Sequence, residues 1–105
     1  MKRLALLFTA SLVLIVAAPN LMSADQATQD LYKGKCQACH GADGKASAVG
    51  KKLGAKDFQD PDVAKESEAD MANIIGQGKN KMPAYKDKLT NDQIKALASY
   101  IKEMK

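Results

Sequence analysis

The 105-residue sequence has no tryptophan, one histidine, two cysteines, three prolines and one arginine. Each shortage excludes something. A single histidine, His40, rules out any site that needs two histidines from one chain. Two cysteines allow at most one disulfide, so no disulfide framework can replace a core. One arginine and only five aromatic residues, three tyrosines and two phenylalanines, leave neither the basic stripe nor the stacking surface of a nucleic-acid-binding domain. No stretch alternates as a strand for more than a few residues, and no repeat or low-complexity tract is present. The length allows one domain.

Large apolar residues are also scarce where a core would need them. Residues 1–24 hold 17 of the 48 hydrophobic residues. Of the 31 in residues 25–105, twelve are alanine, which leaves 19 larger side chains. A domain this small is marginal even with a good core and usually needs a staple. Something other than protein is expected to fill its middle.

The concentrated front of the chain reads as an address. Met1-Lys2-Arg3 is a short positive region, and Leu4 to Ala18 is apolar apart from Thr9 and Ser11. Pro19-Asn20 then interrupts it, the pattern of a secretory signal. The fifteen-residue run is shorter than the roughly 20 residues a helix needs to span a bilayer. Cleavage is expected after Ala24, with Met22 bulkier than usual at the −3 position; an uncleaved anchor is the alternative. Either way the domain, residues 25–105, is expected outside the cytoplasmic membrane, in the periplasm. Without residues 1–24 the chain has 14 lysines against 12 acids, a net charge of +2.

Residues 25–105 read as all-α with long loops. A short helix is expected over Asp25 to Lys35, and a long glycine-bearing loop over Gly41 to Phe58. Asp60-Pro61 can begin a helical turn, since proline suits the first helical position. Ser67-x-x-Asp70 resembles a capping box and opens a helix carrying Met71, Ile74 and Ile75, stopped by Gly76 and Gly78. Lys79 to Leu89 is a loop containing Met82-Pro83. Thr90-x-x-Gln93 is a full capping box, followed by Ile94, Leu97, Ala98, Ile101 and Met104 at helical spacing. A loop of eighteen residues in so small a domain is uncommon unless it wraps something.

Cys36-Gln37-Ala38-Cys39-His40 names that something. C-x-x-C-H is the attachment motif of haem c: two thiols three positions apart reach the two vinyl groups of one porphyrin as thioethers. His40 then falls beneath the iron as its proximal ligand. A thioredoxin-type C-x-x-C would need a βαβ context, and no strand is visible here. A structural zinc site needs four ligands, and Cys36, Cys39 and His40 supply three. A disulfide between Cys36 and Cys39 would close too tight a loop to stabilise much. One covalent haem also accounts for the missing core.

His40 being the only histidine, the sixth iron ligand is sought among Met71, Met82 and Met104. Met71 and Met104 lie on apolar helix faces, where methionine is usually core filler. Met82 sits in a loop after Gly76 and Gly78 and is fixed by Pro83, which suits it to present sulfur to the iron as the distal ligand. Met/His ligation raises the reduction potential relative to bis-histidine ligation.

Leu31-Tyr32-Lys33-Gly34-Lys35-Cys36-Gln37-Ala38-Cys39-His40-Gly41, then Met82-Pro83, then a last helix with Leu97 and Tyr100, resembles a class I cytochrome c of the short soluble bacterial and photosynthetic kind. The likeness spans almost all of residues 27–104. It implies the cytochrome c fold, three to four short helices and long loops wrapped around one haem. It also implies that the first and last helices cross near perpendicular, with Tyr32 against Leu97 and Tyr100. This chain departs from the family pattern in places. Thr28 stands where many members carry a glycine, and no proline lies between His40 and Phe58 to supply the carbonyl that often accepts the histidine N–H. With no tryptophan, Tyr85 is the candidate for its bond to a haem propionate.

The expected function is that of a monohaem electron carrier, not an enzyme, cycling Fe(III)/Fe(II) between redox proteins as a monomer. The alternatives are a haem-based ligand sensor or peroxidase with a labile Met82, and a haem subunit of a dehydrogenase. Charge is segregated: residues 31–56 sum to +5, 57–70 to −5 and 71–105 to +4. Lys79, Lys81, Lys86 and Lys88 flank Met82 and can steer a partner with an acidic face.

Overall fold

The structure, a computed structural model, describes residues 10–14 and 21–104. Most of the expected secretory segment, residues 1–9 and 15–20, lies outside them. Residues 10–14 have no regular structure, and Leu12, Val13 and Leu14 are exposed. Among the described residues no helix is long and apolar enough to cross a membrane.

Six helices follow in order: α1 (Leu21–Lys35), α2 (Gln37–His40), α3 (Ala48–Lys52), α4 (Pro61–Ala64), α5 (Glu68–Gln77) and α6 (Asn91–Glu103). Three are of substantial length and three are a turn or little more. The only β-type pairing among the described residues is an isolated bridge between Lys79 and Met82.

The caps behave as side-chain chemistry dictates. Thr90 Oγ1 accepts the Gln93 N–H at 3.1 Å and the Gln93 side chain accepts the Thr90 N–H at 2.9 Å, a complete capping box. Ser67 Oγ accepts the Asp70 N–H at 3.0 Å, but only this half of the box forms, because aspartate is one methylene too short to reach back. Asp60 accepts the Asp62 N–H at 2.9 Å and Pro61 takes the first helical position of α4.

Two expected boundaries change. α1 begins at Leu21 instead of Asp25 and so runs across the expected cleavage position. Leu21, Met22 and Ala24 favour helix, and the nearest breakers are Pro19-Asn20 upstream. Residues 41–58 are not one continuous loop, because α3 interrupts them. Ser47 caps α3 by accepting the Gly50 N–H at 3.1 Å.

The core is built by three helices. α5 packs mainly on α6, and α1 crosses α6. Tyr32 on α1 and Leu97 on α6 are the largest fully buried side chains, joined by Met71, Ile75, Leu89, Ile94, Ala98 and Ile101. Tyr32 and Tyr100 meet edge to face, ring centres 5.4 Å apart at 71°. The packing of Tyr32 with Leu97 and Tyr100 that the resemblance implied is thus present. What this small core leaves free is the space beside α2 and α5.

Candidate functional site

α2 is one helical turn that carries the attachment motif. His40 N–H donates to the Cys36 carbonyl at 3.0 Å, and Gly41 N–H to that of Gln37 at 2.8 Å. The turn is held from both sides. The Tyr32 hydroxyl donates to the Gly41 carbonyl at 2.6 Å, tying the motif to α1. The Ser47 hydroxyl donates to the Ala38 carbonyl at 2.6 Å while the Ser47 N–H donates to that of Cys39 at 3.0 Å, tying it to α3. Ser47 therefore fixes the motif as well as capping α3. The sequence reading, which takes residues 41–58 as one loop, gives Ser47 no role.

A cavity of about 460 Å³ opens beside this turn. Cys36, Cys39 and His40 line it from α2 and its cap, Met71 and Ile75 from α5, and Met82, Pro83 and Tyr85 from the following loop. Residues more than 40 positions apart in sequence are thereby brought to one space. Met104 does not reach it and lines a separate cleft with Phe58 and Gln59.

Burial sets the protonation states. It pulls the His40 pKa below the ordinary imidazole value and so favours the neutral ring, the form that ligates metal. It pushes the Cys36 thiol up, only partly offset by Lys35, and so disfavours the thiolate that a zinc site requires. Cys36 and Cys39 form no disulfide with each other. Among the described residues no three His, Cys, Asp or Glu side chains converge on a metal position. His40 Nδ1 is buried without a hydrogen-bond partner, and the imidazole stacks on Phe58, ring centres 4.9 Å apart at 24°. The sequence reading did not identify that contact.

Met82 is presented by a tight turn. Its N–H donates to the Lys79 carbonyl at 2.9 Å, and the Lys79 N–H donates to its carbonyl at 3.2 Å. Asn80, at the tip, takes φ +53°, a conformation asparagine tolerates better than most residues. Gly78 precedes the turn with φ 76° and ψ 168°, a region open essentially to glycine alone. A Cβ there would also lie 2.7 Å from the Met82 carbonyl. Gly78→Ala is therefore expected to destabilise the holoprotein by about 1–3 kcal/mol, read as a lower denaturant midpoint. It should also weaken any spectroscopic signal of a bound Met82, since the turn carries that side chain.

The Tyr85 hydroxyl donates to the Lys35 carbonyl at 3.2 Å and so braces the loop against the end of α1. The cavity rim is uneven in charge. Among the described residues the ion pairs are Lys56–Asp62 at 3.3 Å and Lys65–Asp62 at 3.5 Å, both on one carboxylate. The acidic stretch thus neutralises lysines on its own side, while Lys79 and Lys81 line the rim beside Met82 with no ion pair.

These residues fit a haem. The cavity falls within the roughly 300–1,000 Å³ of small-molecule sites. It is walled by apolar side chains, two thiols, a neutral imidazole and thioethers. Comparison with known proteins agrees. The family described as cytochrome c oxidase, cbb3-type, subunit III matches residues 23–101. Cytochrome c6 of Thermosynechococcus vestitus is 30% identical over 90 residues, covering 85% of this chain and 79% of that protein. The chloroplastic cytochrome c6 of Chlamydomonas reinhardtii is 31% identical over 102 residues, covering 92% of this chain and 66% of its own length. A solved c-type cytochrome structure superposes with a TM-score of 0.70 at 34% identity, covering 74% of this chain and 96% of its own.

Proposed function

Because this chain belongs to the class I c-type cytochromes and carries one covalently bound haem c, we propose that it is a periplasmic electron carrier whose haem is held by Cys36 and Cys39 and ligated by His40 and Met82. That it is a monohaem electron-transfer protein and not an enzyme follows from its family. The proposal lies in the residues, the compartment and the partners.

One observation carries the assignment of residues: the attachment turn and the Met82 turn, far apart in sequence, border the same cavity. Bound haem supplies a one-electron Fe(III)/Fe(II) couple. Cys36 and Cys39 fix its position in the cavity, and the neutral His40 offers a nitrogen without losing a proton. Met82 offers sulfur from a turn closed by two backbone bonds, which limits its displacement. Met71 also borders the cavity, but it is buried in the α5–α6 core. Ile75 and Tyr85 exclude water from the wall. With His40 and Met82 both committed to the iron, a substrate would find no free ligand position there.

Brief encounters with acidic-faced redox proteins fit the exposed Lys79, Lys81, Lys86 and Lys88. The secretory pattern of residues 1–24 supports the periplasm, where the haem would be attached and the partners met. The chain is taken to act as a monomer.

The far-red spectrum of the oxidised holoprotein tests this. A weak sulfur-to-iron charge-transfer band, together with failure of the resting reduced protein to bind CO, is the expected result. Bound haem with no such band and ready CO binding would instead favour the sensor or peroxidase reading.

A further inference from the structure

We infer that Phe58 is a positioning residue for the proximal ligand, setting the plane of the His40 imidazole by stacking where no hydrogen bond does so. The inference rests on the reading that His40 ligates the iron.

A metal-bound histidine ordinarily donates its second ring N–H to a carbonyl, carboxylate or water, and that bond fixes the ring orientation. In this chain His40 Nδ1 is buried and no described protein group accepts from it. Within the protein, rotation of the imidazole about its Cβ–Cγ bond is then restrained by packing. The packing partner is specific: Phe58 lies nearly parallel to the imidazole, at 24° and 4.9 Å between centres. That is the offset-stacked arrangement that aromatic pairs favour.

Phe58 is itself held in place. Its N–H donates to the Gly44 carbonyl at 2.8 Å. Gly44 is buried at φ +81°, and a Cβ there would come within 2.8 Å of Phe58 Cδ2, so the ring occupies space that only glycine leaves open. The neighbouring Asp57 carboxylate accepts the Ala46 N–H at 2.8 Å and pins the strand of chain that carries Phe58. Tyr32 meets Phe58 edge-on, centres 6.4 Å apart at 62°. The ring therefore relays the rigidity of the α1–α6 core to the imidazole. An aliphatic side chain would fill the space without offering a flat face.

The test uses the oxidised holoprotein and its Phe58→Leu and Phe58→Tyr variants. The low-field electron paramagnetic resonance signal and the spread of the haem methyl proton shifts both report the orientation of the axial imidazole. Phe58→Leu should shift and broaden the former and change the latter. Phe58→Tyr, which keeps the flat face, should restore both. Wild-type spectra in Phe58→Leu would overturn the inference while leaving His40 as a ligand. A wild-type protein without a low-spin histidine-ligated signal would overturn the parent reading instead. If Phe58→Leu fails to take up haem, ¹⁵N and proton shifts of the His40 ring in the wild type decide. A Nδ1 proton in a strong hydrogen bond sinks the inference, and one without sustains it.

Discussion

Without haem, the chain is expected to lose its helices instead of persisting as a folded apoprotein. The buried apolar side chains of the described residues are few, and two of the nine are alanines. Beside them lies a cavity of about 460 Å³. That cavity opens to solvent, so without haem its apolar walls, Met71, Ile75, Met82 and Pro83 among them, stay wetted instead of being covered. A small domain has only roughly 5–15 kcal/mol of stability from which to absorb that loss. Helix propensity cannot compensate, since α2, α3 and α4 are five residues or fewer and isolated helices shorter than about 12 residues are marginal in water. A Cys36→Ala/Cys39→Ala double variant, secreted and purified without haem, should show little helical circular dichroism and no cooperative melt. A sharp thermal transition in that variant would show that the protein core suffices alone.

The second large effect is expected at Met82. In the haem-loaded Met82→Ala variant the sulfur-to-iron band should vanish and the reduced protein should bind CO. The reduction potential should fall, because a thioether favours Fe(II) and its loss favours Fe(III). Axial ligation spans about 0.8 V across haem proteins, so a fall on the order of 0.1 V or more is reasonable for losing one ligand. The fold should survive, because Met82 lies in an exposed turn and not among the most buried residues. Persistence of the band would transfer the ligand role to Met71, the other methionine bordering the cavity. The spectrum thus separates the two residues directly.

Much of this was legible from the residues because the signals are local. C-x-x-C-H is five consecutive residues, Thr90-x-x-Gln93 needs one turn of helix, and Pro61 and Pro83 constrain the backbone wherever they stand. The order of attachment motif, Met-Pro loop and final helix carried the fold. α3 was missed because its five residues include a glycine and two lysines, a composition that also suits a loop. Its cause is the Ser47 hydroxyl, engaged at once with α3 and with α2. The stack of Phe58 on His40 was not legible, since it joins residues 18 apart through a loop whose path depends on Gly44. The bond from Tyr85 to the Lys35 carbonyl was not legible for the same reason, since the two residues are 50 positions apart.

Tyr32 and Leu97, the two largest fully buried side chains, sit on the first and last helices. They make the fold a clasp between the two ends of the domain. Removing the last helix would uncover Tyr32, and with it the anchor that ties the attachment turn to α1. Trimming α6, which lies far from the cysteines in sequence, is therefore equivalent to loosening the turn that carries them.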